Sequence, residues 1–275
     1  MASSRRSFLK STISSAAVLT PSATLWPALA DKQPDSSRVF RFAVASDGHY
    51  GQPNTDFIRY FSQVIESLNA EKERSGLDAC FFNGDLIHDD VPFMPQAKAY
   101  FDQLKMPYYV TRGNHDMVSP VVWQQTWGYP EDHVVDLGPC AFVLGNTSNE
   151  KGEYVCADHR WLGSALDKLR KKQHVFILLH IPQRKWTKNG IDCPQVMETI
   201  ERYANVKAIF HGHDHDEDAV RLSASKPYLS DGHFGGSWGT AYHGYRIVEV
   251  FADGRVTTYQ FNPEVNPVIN MRTLG

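Results

Sequence analysis

The nine residues FHGHDHDED, from Phe210 to Asp218, hold three histidines and four acidic side chains directly behind the apolar run that ends at Ile209. Four other apolar runs end in the same kind of residue: Asp47-Gly48-His49, Gly84-Asp85, Gly113-Asn114-His115-Asp116, and His180. Asp47, His49, Asp85, Asn114, His180, His213 and His215 together offer nitrogen and oxygen donors and no sulfur, a set that suits iron, manganese or zinc. Seven side chains exceed the four that a tetrahedral zinc takes. Two ions about 3.5–4 Å apart would use them all. Two dications that close repel each other, so a carboxylate must lie between them. Asp85, a lone carboxylate at a strand end with two oxygens to share, is the expected bridge.

Donors so far apart in sequence need a scaffold that brings them together. VFRFAVAS, LDACFFN, PYYVTR, HVFILL and VKAIF read as short buried strands, and each ends at one of the donor groups. Between them, helical spacing appears over 55–73, with Phe57, Phe61, Val64, Ile65 and Leu68 on one face. It appears again near 96–104, over 158–172, and from Pro194 to Tyr203, where Pro194 suits a first helical turn. HVVDLG and CAFVLGN form a strand pair around Gly138-Pro139, and YRIVEVF and VTTYQF a hairpin around Asp253-Gly254. Strands alternating with helices predict an α/β domain with mixed sheets and helices outside. In such sheets ligand sites gather beyond the carboxyl ends of the strands.

The blocks DGH, NGD, GNHD, LLHIP and GHDH, in this order from Asp47 to His215, resemble the calcineurin-like metallophosphoesterase superfamily over most of the chain. That resemblance implies a four-layer αββα sandwich with two mixed β-sheets. It also implies that Asp47, His49, Asp85 and His215 hold a first metal and Asp85, Asn114, His180 and His213 a second. His115 would lie beside the metals, contacting the phosphate or protonating the leaving oxygen, and Asp116 would orient its imidazole. The implied activity is hydrolysis of a small phosphoester by metal-activated hydroxide, phosphodiesters before phosphomonoesters. A non-catalytic metal- or ligand-binding protein on the same scaffold is the reading from another class. Purple acid phosphatases of the same superfamily place a tyrosinate on iron, where Asp47-Gly48-His49 offers histidine.

Residues 1–30 have a basic start and an apolar middle, and end in Ala28-Leu29-Ala30, the layout of an export leader. SRRSFLK, from Ser4 to Lys10, resembles a twin-arginine (Tat) export signal. The Tat machinery is then an expected partner, and a periplasmic or extracellular location follows. The apolar stretch is too short and too rich in Ser and Thr for a stable membrane span. The chain has 275 residues and a formal net charge of -3. The leader holds three basic and no acidic residues, so its removal would make the charge -6. No basic stripe appears, which disfavours nucleic acid as the main partner. Residues 31–37 read as a linker, 38–262 as the phosphoesterase domain and 263–275 as a loose tail. Cys80 and Cys140 lie in strand-like runs and read as core. The pairing of the four cysteines stays open.

The glycine-rich stretch from Ser230 to Gly244 is either a turn joining the sheets or a loop over the site. In the second case His233, Trp238 and His243 are substrate-contact candidates. His88, with Asp89 and Asp90, reads either as lining the substrate cleft or as a solvated loop, the loop before the cleft, and His211 as packed or supporting. His133, His159 and His174 read as surface residues. Asp214, Asp216, Glu217 and Asp218 are expected to face solvent.

Overall fold

Five phenylalanines from five strands, Phe42, Phe81, Phe142, Phe176 and Phe210, meet in one buried cluster. That cluster separates two sheets. The computed structural model describes residues 37–264 and 268–274. The leader at 1–30 and the linker up to residue 36 lie outside the described residues.

The first sheet holds β1 (Arg38–Ala45), β2 (Ala79–Asn83), β3 (Tyr108–Thr111), β10 (Tyr245–Phe251), β11 (Val256–Phe261) and β12 (Val268–Leu274). Its order is β12-β11-β10-β1-β2-β3, with β1, β2 and β3 parallel and β10 antiparallel to β1. The second holds β4 (His133–Leu137), β5 (Cys140–Gly145), β6 (His174–Leu179), β7 (Val206–His211), β8 (Val220–Ser223) and β9 (Lys226–Ser230), in the order β4-β5-β6-β7-β9-β8. Here β5, β6, β7 and β9 run parallel between antiparallel edge strands β4 and β8.

Because side chains alternate along a strand, each sheet has an inner and an outer face. Phe42 and Val44 of β1 and Phe176 and Leu178 of β6 point between the sheets. Ala43 and Ala45 point instead towards α1 (Phe57–Ser75), α2 (Phe93–Phe101) and α3 (Pro120–Trp127). Val175, Ile177 and Leu179 point towards α4 (His159–Lys168) and α5 (Pro194–Glu201). The result is helix, sheet, sheet, helix. The expected face of α1 is the buried one, Phe61, Val64, Ile65 and Leu68, and each such side chain contributes about 1.5–3 kcal/mol when fully buried.

The expected helices occur, with shifted ends. Asp158 caps α4 by accepting from Arg160 N and Trp161 N at 2.9 and 3.1 Å. Both expected hairpins form, β4 with β5 and β10 with β11. Two readings need correction. Residues 263–275 are not simply a tail, because β12 pairs with β11 and forms the sheet edge. Helix α3 was not anticipated, although Ser119 caps it, Pro120 opens it and Gly128, at φ 84°, closes it.

Candidate metal centre

Parallel neighbours end at the same sheet edge. Ala45 pairs with Phe82 and Asn83 with Thr111, so β1, β2 and β3 deliver Asp47, Asp85 and Asn114 side by side. In the second sheet, Leu178 pairs with Phe210, so His180 and His213 leave β6 and β7 together. Asn83 clasps the two edges. Its amide donates to Phe210 O at 3.1 Å, its Oδ1 accepts from Thr111 Oγ1 at 2.8 Å, and its carbonyl lies 2.6 Å from His180 Nδ1.

The loops that carry the donors are tightly wound. Eight described non-glycine residues have positive φ, and Asp47, His49, Asp85, Asp89 and His213 are five of them. Such residues cost of order 1–3 kcal/mol each and gather where a site needs them. Two glycines are dictated by contact. A Cβ at Gly113 would stand 2.2 Å from Asp85 Oδ1, and one at Gly212 would stand 2.4 Å from Asp47 Oδ2. The main chain thus passes directly against both carboxylates.

Two fully buried groups of donors share one residue, and a third, partly exposed group is made of His49, His88 and His115. Asp47, His49, Asp85 and His215 form one buried group and Asp85, His180 and His213 the other, with ligand atoms in each within 4.8 Å of one another. His180 and His213 have ring centroids 5.4 Å apart. Asp47 Oδ1 lies 3.0 Å from His215 Nε2, and Asp85 Oδ2 lies 3.2 Å from His180 Nε2 and 3.6 Å from His49 Nε2. Asn114 is bracketed at Asp85 by Gly113 and by His115, whose amide donates to Asp85 Oδ1 at 2.8 Å.

These residues fit a pair of cations. Among the described residues, the buried atoms Asn114 Oδ1 and His213 Nε2 have no hydrogen-bond partner, and buried polar atoms rarely go without one. Burial takes His49 down to about 3. Burial and the neighbouring His180 take His213 down to about 4. Both rings are therefore neutral at pH 7, with a lone pair to give. Burial opposes the ionisation of Asp47, yet His215 and His180 bring its pKa down to about 2. Against its own burial, Asp85 is held well below the usual carboxylate range by His180 and His49. Burial also opposes charge on His180, but Asp85 and Asp47 push it up to about 10. The centre therefore favours positive charge.

His115 stands beside this cluster, its ring 4.8 Å from that of His49. The expectation that Asp116 orients it is corrected. The Asp116 carboxylate accepts from Gly113 N and Ile87 N at 2.8 and 3.0 Å, so it supports the turn and not the ring. Asp89 takes the expected place, with Oδ1 2.6 Å from His115 Nδ1. His88 is no simple loop residue either, because its ring stacks on His115 at 4.8 Å.

Two of the three substrate-contact candidates border the cluster: His233, whose ring stacks on His215 at 5.2 Å, and Trp238. The Trp238 indole stacks on His215 at 4.3 Å, and its carbonyl lies 3.0 Å from His215 Nδ1. His233 is buried, with one ring nitrogen against Gly235 O and the other 3.2 Å from Thr240 O, so it holds the glycine-rich loop closed. His243 stacks on Tyr60 at 4.1 Å, outside both donor groups. The segment joins β9 of one sheet to β10 of the other. Tyr154 was missed by the sequence reading: its ring meets His213 edge-on at 4.7 Å. Tyr154 and Trp238 are 43% and 46% exposed, two aromatic rings open to solvent on two histidines of the cluster.

Asp214 does not face solvent. It is buried and accepts from Thr187 Oγ1 at 2.8 Å and Asn189 Nδ2 at 2.7 Å. His211 is packed, its ring stacked on Tyr228 and its Nδ1 2.6 Å from Leu179 O. His133 and His174 are buried, not at the surface. Cys80 and Cys140 are buried free thiols, and Cys156 is disulfide-bonded to Cys193.

A sequence profile described as calcineurin-like phosphoesterase matches residues 40–217. A 3',5'-cyclic-nucleotide phosphodiesterase of Nostoc sp. is 26% identical over 234 residues, spanning 72% of this chain and 80% of that protein. Among solved structures, a dimetal phosphatase from Danio rerio superposes with a TM-score of 0.69 at 13% identity, over 86% of this chain and 99% of that one. A purple acid phosphatase from yellow lupin (Lupinus luteus) superposes with a TM-score of 0.67 at 15% identity, over 88% of this chain and 54% of that one. The two superpositions are likenesses of fold.

Proposed function

The chain belongs to the calcineurin-like phosphoesterase family, and from that premise we propose that it is an exported phosphodiesterase with a binuclear metal centre. The observation that carries this reading is the sharing of Asp85 between two groups of buried donors. Asp47, His49, Asp85 and His215 would hold one ion, and Asp85, Asn114, His180 and His213 the other. When bound, the ions supply Lewis acidity towards the phosphoryl oxygens and towards water.

The chain supplies the rest. The Asp89 carboxylate holds the Nδ1 proton of His115 and fixes the ring. A proton carried on His115 Nε2 is then aimed at the leaving oxygen as the ester bond breaks. Asp116 and Gly113 hold the turn that sets His115 against Asp85.

Two features support a diester. Among the described residues, no Lys or Arg forms an ion pair with Asp47, Asp85 or Asp89. A site so short of fixed cations suits the single charge of a diester better than the two charges of a monoester. Tyr154 and Trp238 offer exposed rings to a second, planar ester substituent. The relative from Nostoc, named for cyclic nucleotides, agrees with this choice. Export is supported by the SRRSFLK motif and by the Cys156–Cys193 disulfide, a bond at home in oxidising compartments.

The test is turnover of bis-p-nitrophenyl phosphate and p-nitrophenyl phosphate by purified protein loaded with manganese, iron or zinc. The diester should be the better substrate by kcat/KM. Preference for the monoester would remove the diester assignment. Two bound metals with no turnover of either ester would remove the catalytic reading.

A further inference from the structure

The ring nitrogens that point away from the donor groups are held in two different ways. His180 Nδ1 lies 2.6 Å from Asn83 O, and His215 Nδ1 lies 3.0 Å from Trp238 O. Both acceptors are main-chain carbonyls, so each ring carries a proton on Nδ1, and Nε2 is the nitrogen left for a cation. His49 has no such carbonyl among the described residues. Its Nδ1 lies 3.2 Å from Nδ1 of His88. The His88 ring in turn stacks on His115 at 4.8 Å with 12° between planes, and its Nε2 lies 3.8 Å from Asp89 Oδ2. Asp89, wound into place at φ 64°, has its other oxygen 2.6 Å from His115 Nδ1.

We propose that His88 is a positioning residue that fixes the tautomer of His49. The role rests on the proposal above that His49 binds a cation through Nε2. A neutral imidazole that gives Nε2 to a cation keeps its proton on Nδ1. The nearest acceptor for that proton is His88 Nδ1, which must then carry the lone pair. The His88 proton therefore sits on Nε2, facing the Asp89 carboxylate. The second carboxylate oxygen takes the Nδ1–H of His115, leaving His115 Nε2 for the substrate. One choice at His49 thus sets two rings, and Asp89 sets the third, His115, from its other oxygen. Partners of this kind act on metal affinity as well as on rate.

The direct test is the protonation pattern of the histidine rings in the zinc-loaded protein, read from long-range proton–nitrogen NMR couplings. His49 should carry its proton on Nδ1 and His88 on Nε2. A His88 ring protonated on Nδ1 alone would overturn the proposal, and this experiment needs no variant. Zinc dissociation constants, measured by competition with a chromophoric chelator, give the second test. His88→Phe keeps the stacked ring and removes the acceptor, so one of the two zinc sites should weaken by about 10- to 100-fold. His88→Asn places Oδ1 where Nδ1 stood and should restore most of the loss. Two zinc ions bound by His88→Phe as tightly as by the wild type would overturn the role of His88 and leave the metal assignment standing. Wild-type protein that takes up no zinc would overturn both.

Discussion

The two sheets hold their halves of the centre by different means. On the second sheet His180 follows directly on β6, and His180 and His215 lean on the carbonyls of Asn83 and Trp238. Position there is inherited from strands and main chain. On the first sheet Asp47, His49 and Asp85 sit in left-handed turns beyond the strand ends, as His213 does on the second. The rings of His49 and His115 depend on His88 and Asp89, which are side chains. One half is fixed by the fold, and the other by a local network that a single substitution can alter without unfolding the protein. Proton transfer is assigned to the second kind of half, where orientation can be tuned separately from stability.

The largest effect should come from the residue common to both donor groups. Asp85→Asn should lose both ions and all measurable turnover, checked by metal analysis and the diester assay. Full metal content in this variant would break the idea of a shared bridge. His115→Ala should keep its metals while kcat falls by about 10²- to 10⁴-fold, the range for a lost general acid. Joint loss of metal and turnover would make His115 a ligand.

A paired replacement, Cys156→Ser with Cys193→Ser, probes the scaffold of the second sheet. The bond closes a loop of 37 residues, and removing such a closure costs about 4 kcal/mol in the chain-entropy account. Thermal unfolding should show a lower Tm with kcat intact, since neither cysteine is a donor. An unchanged Tm would mean that the 146–158 segment is held by its packing alone.

The smallest effects sharpen the contrast between neighbours. Asp89→Asn should reduce kcat by about 10- to 100-fold, as loss of an orienting carboxylate does, with little change in Tm. Asp116→Asn should act in the opposite sense, costing about 1–3 kcal/mol of stability through weakened acceptance from Gly113 and Ile87, with a smaller change in kcat. The reverse pattern would restore Asp116 as the partner of His115.

The sheets were legible because each buried strand is a short apolar run that stops at a chemically distinctive residue. VKAIF before His211 and HVFILL before His180 are examples. Convergence of the donors followed from parallel strands ending at one edge. Adjacency in sequence misled at Asp116: it follows His115, yet the turn directs its carboxylate back to main-chain amides. Asp89 was hidden in a polar run that looks like any solvated loop, and only its left-handed backbone and contact with His115 distinguish it. Tyr154 lies far in sequence from His213, and no pattern could join them. Val268–Leu274 carries Asn270 and Arg272 among its apolar residues, which obscured an edge strand. The Ser119-Pro120 start and Gly128 stop of α3 were readable signals. The leader's reading concerns residues outside those described, so it still rests on sequence alone.

The most direct measurement is the location of manganese by anomalous scattering in crystals of the metal-loaded protein. Two peaks about 3.5–4 Å apart, with Asp85 reaching both, His49 and His215 on one and His180 and His213 on the other, are the predicted result. A single peak, or a pair that Asp85 does not join, would contradict the account.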